Sequence, residues 1–168
     1  MQRAKVVMIL IDVLMVITVL STGLFTGLLM TVVFFFQKAL RELSGRQFAL
    51  VMQRFLAIAR THPLNYAMTL ISGFVPIATL ILLRQHPASG VFVFTLLGLL
   101  AFWAGPILTS RYVAEPLYDV FVGWDADAPP DDWQRARKRY FRMNNAIRGP
   151  FSAVAFVCFV IAAMIVPL

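Results

Sequence analysis

Residues 13–36 read VLMVITVLSTGLFTGLLMTVVFFF, an uninterrupted run without a charge. A helix needs roughly 20 predominantly apolar residues to cross a hydrocarbon core about 30 Å thick. This stretch exceeds that length, and its apolar character begins earlier, at Val6, broken only by Asp12. Three further runs meet or nearly meet the same measure, at 64–83, 90–110 and 150–168. Arg84 ends the second and Arg111 ends the third. An isolated span must satisfy its own backbone polar groups in lipid, so each run reads as α-helix. Barrel strands alternate polar and apolar positions over about ten residues, and these runs are apolar all round. The chain therefore reads as all-α, a single integral membrane domain over 1–168. It is expected to be a four-helix bundle with spans over 6–36, 64–83, 90–110 and 150–168.

Composition agrees. Of 168 residues, 60% are apolar and 14% charged, and mean hydropathy is +0.80. Soluble domains are about half apolar and a quarter charged, so this chain cannot cover a water-facing surface and is not disordered. The lone Cys158 excludes an internal disulfide framework and a Cys-rich zinc site. Arg3 and Lys5 could open a cleaved signal peptide, but Asp12 interrupts its apolar region and no small-residue cleavage site follows. The first helix is expected to be retained.

The basic residues set the expected topology. Arg3, Lys5 and Arg84 share one side of a four-span arrangement, and the remaining Lys and Arg residues lie in the two long loops. Positive charge marks cytoplasmic loops, so both long loops are expected in the cytoplasm of an inner-membrane protein, with the termini outside. The net charge of +7 sits mostly beside spans, where it meets anionic lipid headgroups rather than nucleic acid.

Both loops carry amphipathic helical patterns. Over 45–60, Phe48, Val51, Met52, Phe55 and Ala59 share one face, with Arg46, Gln53 and Arg60 on another. This helix either lies in the interface or packs on the bundle, and packing is favoured by its closeness in sequence. Over 132–148, Arg135, Lys138, Arg139 and Arg142 line one face. Asp131 is the expected N-cap with Gln134 as its capping-box partner. Gly149-Pro150 is expected to interrupt or kink the path into the fourth span. WDADAPPDD reads as a turn; it lacks the spacing and terminal Glu of a calcium loop.

Several residues are candidates for chemistry. Asp12 is an ionisable group in an apolar run, near enough to a helix start to reach the interface. Gly23 and Gly27 form a G-x-x-x-G pair that lets helices approach closely, within the bundle or against another copy. Two histidines, His62 and His86, offer too little for a bis-histidine haem or a histidine-rich metal cluster, and no metal ligand is assigned. A polar set gathers near the cytoplasmic mouth: His62, Asn65, Glu115, Tyr118, Asp119, Tyr140, Asn145 and Arg148. Asn145 and Arg148 are three apart and can address one point on a helix.

These segments resemble the anthrone oxygenase-like family of small four-helix membrane proteins. The resemblance rests on Gly23-x-x-x-Gly27 with the following FFF, on MQRFLAIARTHPLNY, on EPLYDVFVGWDADAPPDDW and on RYFRMNNAIRG, and covers nearly the whole chain. Characterised members often carry Trp-Asn-His-Val-Arg where this chain has Asn144 to Arg148, so their histidine is Ala146 here. The resemblance implies oxidation of a flat, lipophilic phenolic or quinone-like ring by dioxygen, through its enolate and without need of a cofactor. Asn145 and Arg148 would then hold the oxyanion, and His62 or Glu115 would take the proton. Asn65, Tyr118, Trp133 and Tyr140 would line the substrate. The competing expectation is a non-catalytic subunit that packs on itself or on a larger membrane complex. A transporter is disfavoured, because four spans leave little room for paired broken-helix repeats.

Overall fold

The computed structural model describes residues 2–166. Pro167 and Leu168, the end of the expected fourth span, lie outside them. Five helices are present among the described residues. Helix α1 runs over Gln2–Thr31, widens through a π-helical stretch at Val32–Phe36 and finishes as Gln37–Arg41. Helix α2 is Gly45–Ala59 and α3 is Pro63–Leu82. Helix α4 begins as Gly90–Phe102, passes π-helical stretches at Trp103–Ile107 and Ser110–Ala114, and ends as Glu115–Val122. Helix α5 begins as Trp133–Met143, widens at Asn144–Arg148 and ends as Gly149–Met164. Four helical paths are long and apolar enough to cross a membrane: Lys5–Arg41, Pro63–Leu82, Gly90–Val122 and Trp133–Met164. The protein is a multi-pass helical membrane bundle.

Three paths run further than the sequence reading expects, the first continuing past Phe36 to Arg41. The third does not stop at Ser110, and Gly149-Pro150 does not interrupt the last. Proline lacks an N–H and crowds the carbonyl four residues back. A π-helical turn, bonded i to i+5, widens the helix and relieves that crowding. Pro106 lies inside one such stretch, and Pro116 and Pro150 each follow one by two residues. The widened turn at Val32–Phe36 carries no proline.

The start of α5 also differs from expectation. Its N-cap is Asp132, not Asp131, and no side-chain cap forms. The first N–H groups are taken by backbone instead: Trp133 donates to the Pro130 carbonyl at 3.0 Å and Arg135 to that of Asp132 at 2.8 Å. Helix α2 is capped as a box, with Ser44 N–H donating to Gln47 Oε1 at 3.0 Å and Ser44 Oγ accepting from Gln47 N–H. It packs on the rest of the molecule and buries Phe48, Ala49, Met52 and Leu56.

In the bundle, α1 packs on α3 and α5, and α4 packs on α5 and α3. Helices α4 and α5 are antiparallel, since Gly90, Gly98 and Gly105 face Ile165, Phe159 and Phe151 in turn. A Cβ at Gly98 would sit 2.7 Å from the Phe159 ring, so only glycine admits that approach. The G-x-x-x-G pair divides: Gly23 lies against Phe156, whereas Gly27 is exposed with open space beside it. The bundle core contains Met15, Phe25, Leu29, Met68, Phe102 and Phe159. A second core joins the ends of α1 and α4, all of α2 and the start of α5, around Phe48, Met52, Phe121, Tyr140 and Phe141. This second unit is termed the head.

Candidate functional site

Where head meets bundle, a cavity of about 470 Å³ opens. Its apolar wall comes from Phe25, Leu28, Leu29 and Val32 of α1, Phe55 and Leu56 of α2, and Pro106 and Ile107 of α4. Its polar wall comes from Arg60, Asn65, Tyr66, Thr69, Ser110, Arg111, Glu115, Tyr118, Tyr140, Asn144 and Arg148. Every π-helical stretch contributes at least one of these residues. Such bulges gather at functional sites because a widened turn re-aims the side chains that follow it.

Arg148 is the pivot of the polar wall. Its Nη1 donates to the Tyr118 hydroxyl at 2.9 Å and to Asn144 Oδ1 at 3.3 Å. Its Nε is buried with no hydrogen-bond partner, and no carboxylate pairs with it among the described residues. Asn144 is 1% exposed, and its Nδ2 is held by the Tyr140 carbonyl at 3.0 Å, which fixes its oxygen toward Arg148. The guanidinium is thus oriented by neutral acceptors.

Arg60 is the opposite case. It bridges Glu115 at 2.6 Å and Asp119 at 2.9 Å, tying the end of α2 to α4. Burial alone would lower its pKa, but the hydrogen bond to Asp119 and the two carboxylate charges raise it above its ordinary value. A raised cation contributes stability that is complete below the unfolded value and lost only above the folded one. The corner before α3 is also tied: Asn65 Nδ2 donates to the Ala59 carbonyl at 2.9 Å and the Tyr66 hydroxyl donates to that of Arg60.

Five of the expected site residues meet at this cavity: Glu115, Arg148, Asn65, Tyr118 and Tyr140. Three do not. Asn145 is exposed and lies outside the lining, and Asn144 occupies the position beside Arg148. His62 is exposed and serves as the N-cap of α3, its Nδ1 accepting from Leu64 N–H at 3.3 Å. Trp133 belongs to the head core, stacked near Phe48 with Arg137 over its ring. Asp12 is half-buried on α1 and does not line the cavity. Sequence reasoning missed Arg111 and the role of Arg60. Arg111, Glu115 and Tyr118 stand at i, i+4 and i+7, a spacing that places them on one helical face.

Among the described residues, no group of three His, Cys, Asp or Glu side chains is placed to hold a metal ion. What the wall offers is three phenols, Tyr66, Tyr118 and Tyr140, one carboxylate already paired to Arg60, and two further guanidiniums, Arg111 and Arg148, without a carboxylate partner among the described residues. Comparison with known proteins returns no match: no family model, no curated protein and no solved structure.

Proposed function

We propose that the protein is an inner-membrane oxidoreductase that oxidises a lipophilic phenolic or quinone-like ring with dioxygen, its long loops in the cytoplasm. The observation that carries this reading is Arg148. Its guanidinium is fixed by Tyr118 and Asn144, has no carboxylate partner among the described residues and borders a cavity whose opposite wall is apolar. Donors oriented before reaction and kept from water favour a developing oxyanion most strongly. The resemblance to anthrone oxygenase-like proteins supplies the reaction class.

For an anthrone, the ring methylene becomes a ketone. Glu115, the carboxylate of the cavity wall, takes a methylene proton, and the electrons move onto the ring oxygen beside Arg148. Dioxygen adds at the resulting carbanion and becomes a hydroperoxide on protonation. Loss of the second methylene proton expels the outer oxygen as water and leaves the ketone. Anthrone and dioxygen give anthraquinone and water, so no external reductant is consumed.

The test is turnover in nanodiscs, followed by dioxygen uptake and quinone absorbance. Arg148→Ala is expected to lower kcat about 100-fold or more, the usual effect of removing an oxyanion donor. Glu115→Gln is expected to lower it by about 100-fold or more, as for loss of a general base. Arg148→Ala turning over like the parent would remove the central claim.

One observation favours a second reading, a subunit that packs on itself or on a larger membrane complex. Gly27 presents open space outward between exposed Leu24 and Leu28. Native mass spectrometry of the gently solubilised protein separates the two: a bound aromatic supports the enzyme, and a ligand-free dimer or larger assembly supports the subunit.

A further inference from the structure

The cavity carries more positive charge than its proposed chemistry uses. Three arginines line it, Arg60, Arg111 and Arg148, against one carboxylate, Glu115. Arg60 is answered by Glu115 and by Asp119. Arg148 is held by neutral partners, and Arg111 has no ion-pair partner among the described residues. Two cations therefore face one small cavity with no protein anion to offset them. Arg111 is exposed, at the mouth, whereas the Nε of Arg148 is buried. An apolar wall lies between these and the bundle core.

Like charges around one small cavity repel, and an anion that enters offsets them. A volume of about 470 Å³ suits a small organic molecule rather than a whole lipid. We infer that the ligand of this cavity is an amphiphilic acid: an aromatic or similarly flat apolar body bearing a permanent carboxylate or phosphate, received by Arg111 at the mouth while Arg148 faces the ring oxygen. The inference rests on the proposed site but not on its oxidation chemistry. It makes Arg111 a specificity-determining residue. The same acid group can come from a free metabolite-sized acid or from the headgroup of an anionic lipid whose chains remain in the bilayer.

The experiment compares two fluorescent probes with one ring system, 9-anthracenecarboxylate and the neutral 9-anthracenemethanol, by equilibrium dialysis against the full chain in phosphatidylcholine nanodiscs. Empty nanodiscs supply the background. The carboxylate is expected to bind at least tenfold more tightly than the alcohol. Arg111→Gln is expected to abolish that preference while leaving alcohol binding intact, which also shows that the variant folds. Arg54→Gln, an exposed cation outside the cavity, is expected to keep the preference. Loss of carboxylate binding when phosphatidylglycerol is added to the disc assigns the acid to a lipid headgroup, and its persistence assigns it to a free acid. Equal binding of the two probes, or a preference that survives Arg111→Gln, overturns the inference. Binding of neither probe overturns it together with the choice of site, whereas normal alcohol binding without a carboxylate preference overturns the inference alone.

Discussion

In the bundle, α4 approaches α5 through Gly90, Gly98 and Gly105, each set against one side chain of its partner. In the head, α2 approaches α4 through Phe48, whose ring stands edge-on to Phe121 with centroids 5.5 Å apart. Trp124 and Trp133 complete that aromatic cluster. The contrast follows from what surrounds each unit. Lipid is as apolar as leucine, so helices within it gain little from hiding large side chains and instead associate by close approach and hydrogen bonding. The bundle accordingly buries hydroxyls: Ser21 donates to the Met68 carbonyl at 3.1 Å, and Thr26 to that of Ser152 at 3.1 Å. The head's outer surface instead carries exposed Arg46, Arg54 and Asp127, as a surface built for water does, and in such a unit aromatic burial is rewarded. The cavity sits on the seam between these two regimes, which is why one of its walls is leucine and phenylalanine and the other is arginine and tyrosine.

That comparison breaks hardest at Phe48, which is fully buried. Phe48→Ala is expected to cost about 3–5 kcal/mol, the range for truncating a core phenylalanine. The loss should fall on the head. Near-ultraviolet circular dichroism and protease resistance of α2 should collapse while far-ultraviolet helicity largely persists in detergent. Joint loss of all helicity would show that head and bundle unfold as one unit.

Next comes a test inside the bundle. Gly98→Ala forces the Phe159 ring to move and is expected to cost about 1–3 kcal/mol, as overpacking does. Gly27→Ala meets nothing within 4 Å and should be close to neutral. Denaturation in mixed micelles compares the pair. Equal effects would mean that the antiparallel glycine seam does not hold α4 to α5.

Arg137 closes the head. Its Nη1 donates to the carbonyls of Leu40 and Arg41 at 3.2 Å each, closing the end of α1 against α5. Its guanidinium also lies 4.6 Å from the Trp133 ring centroid. Cations near helix C-termini are favourable because the last carbonyls lack intrahelical partners. Arg137→Ala is expected to cost about 1.5 kcal/mol, the low end for charge-assisted bonds, since the side chain is half-exposed. Thermal unfolding followed by tryptophan fluorescence reads it, because Trp133 reports locally. An unchanged midpoint would mean that α1 closes without this clamp.

The spans were legible because length without charge is decisive in a membrane chain, and 13–36 carries that signal alone. Helix α2 was legible from the spacing of Phe48, Met52 and Phe55. The continuity of the last path was not, because Gly149-Pro150 reads as a break until the widened turn at Asn144–Arg148 is seen to absorb it. The same turn hid the choice between Asn144 and Asn145. Positions three and four before Arg148 are both helical neighbours, and only burial selects Asn144. Glu115, Tyr118 and Arg148 could be gathered from the sequence, since each sits beside a span end. The pairing of Arg60 with Glu115 joins residues far apart in the chain, and no local pattern announces it. His62 lies outside the cavity lining: a histidine before Pro63 is well placed to cap a helix, and it accepts from Leu64 N–H there.

The smallest expected effect lies on the head's outer surface. Arg46 Nε meets Asp127 Oδ1 at 2.6 Å, but the side chains are 63% and 77% exposed. Water and salt screen such a pair, so Arg46→Ala is expected to change stability by no more than about 1 kcal/mol. Its value is diagnostic. Asp127 lies in the acidic turn before α5, and Asp125 Oδ1 already accepts from Asp127 N–H at 2.9 Å. If that local bond shapes the turn, then Arg46→Ala should leave the unfolding midpoint nearly unchanged at 0.5 M salt, where screening lengths fall to a few ångströms (roughly 3 Å at 1 M). A shift that persists at high salt would instead place the turn among the elements that hold α2 to the head, and the aromatic cluster would no longer account for that contact by itself.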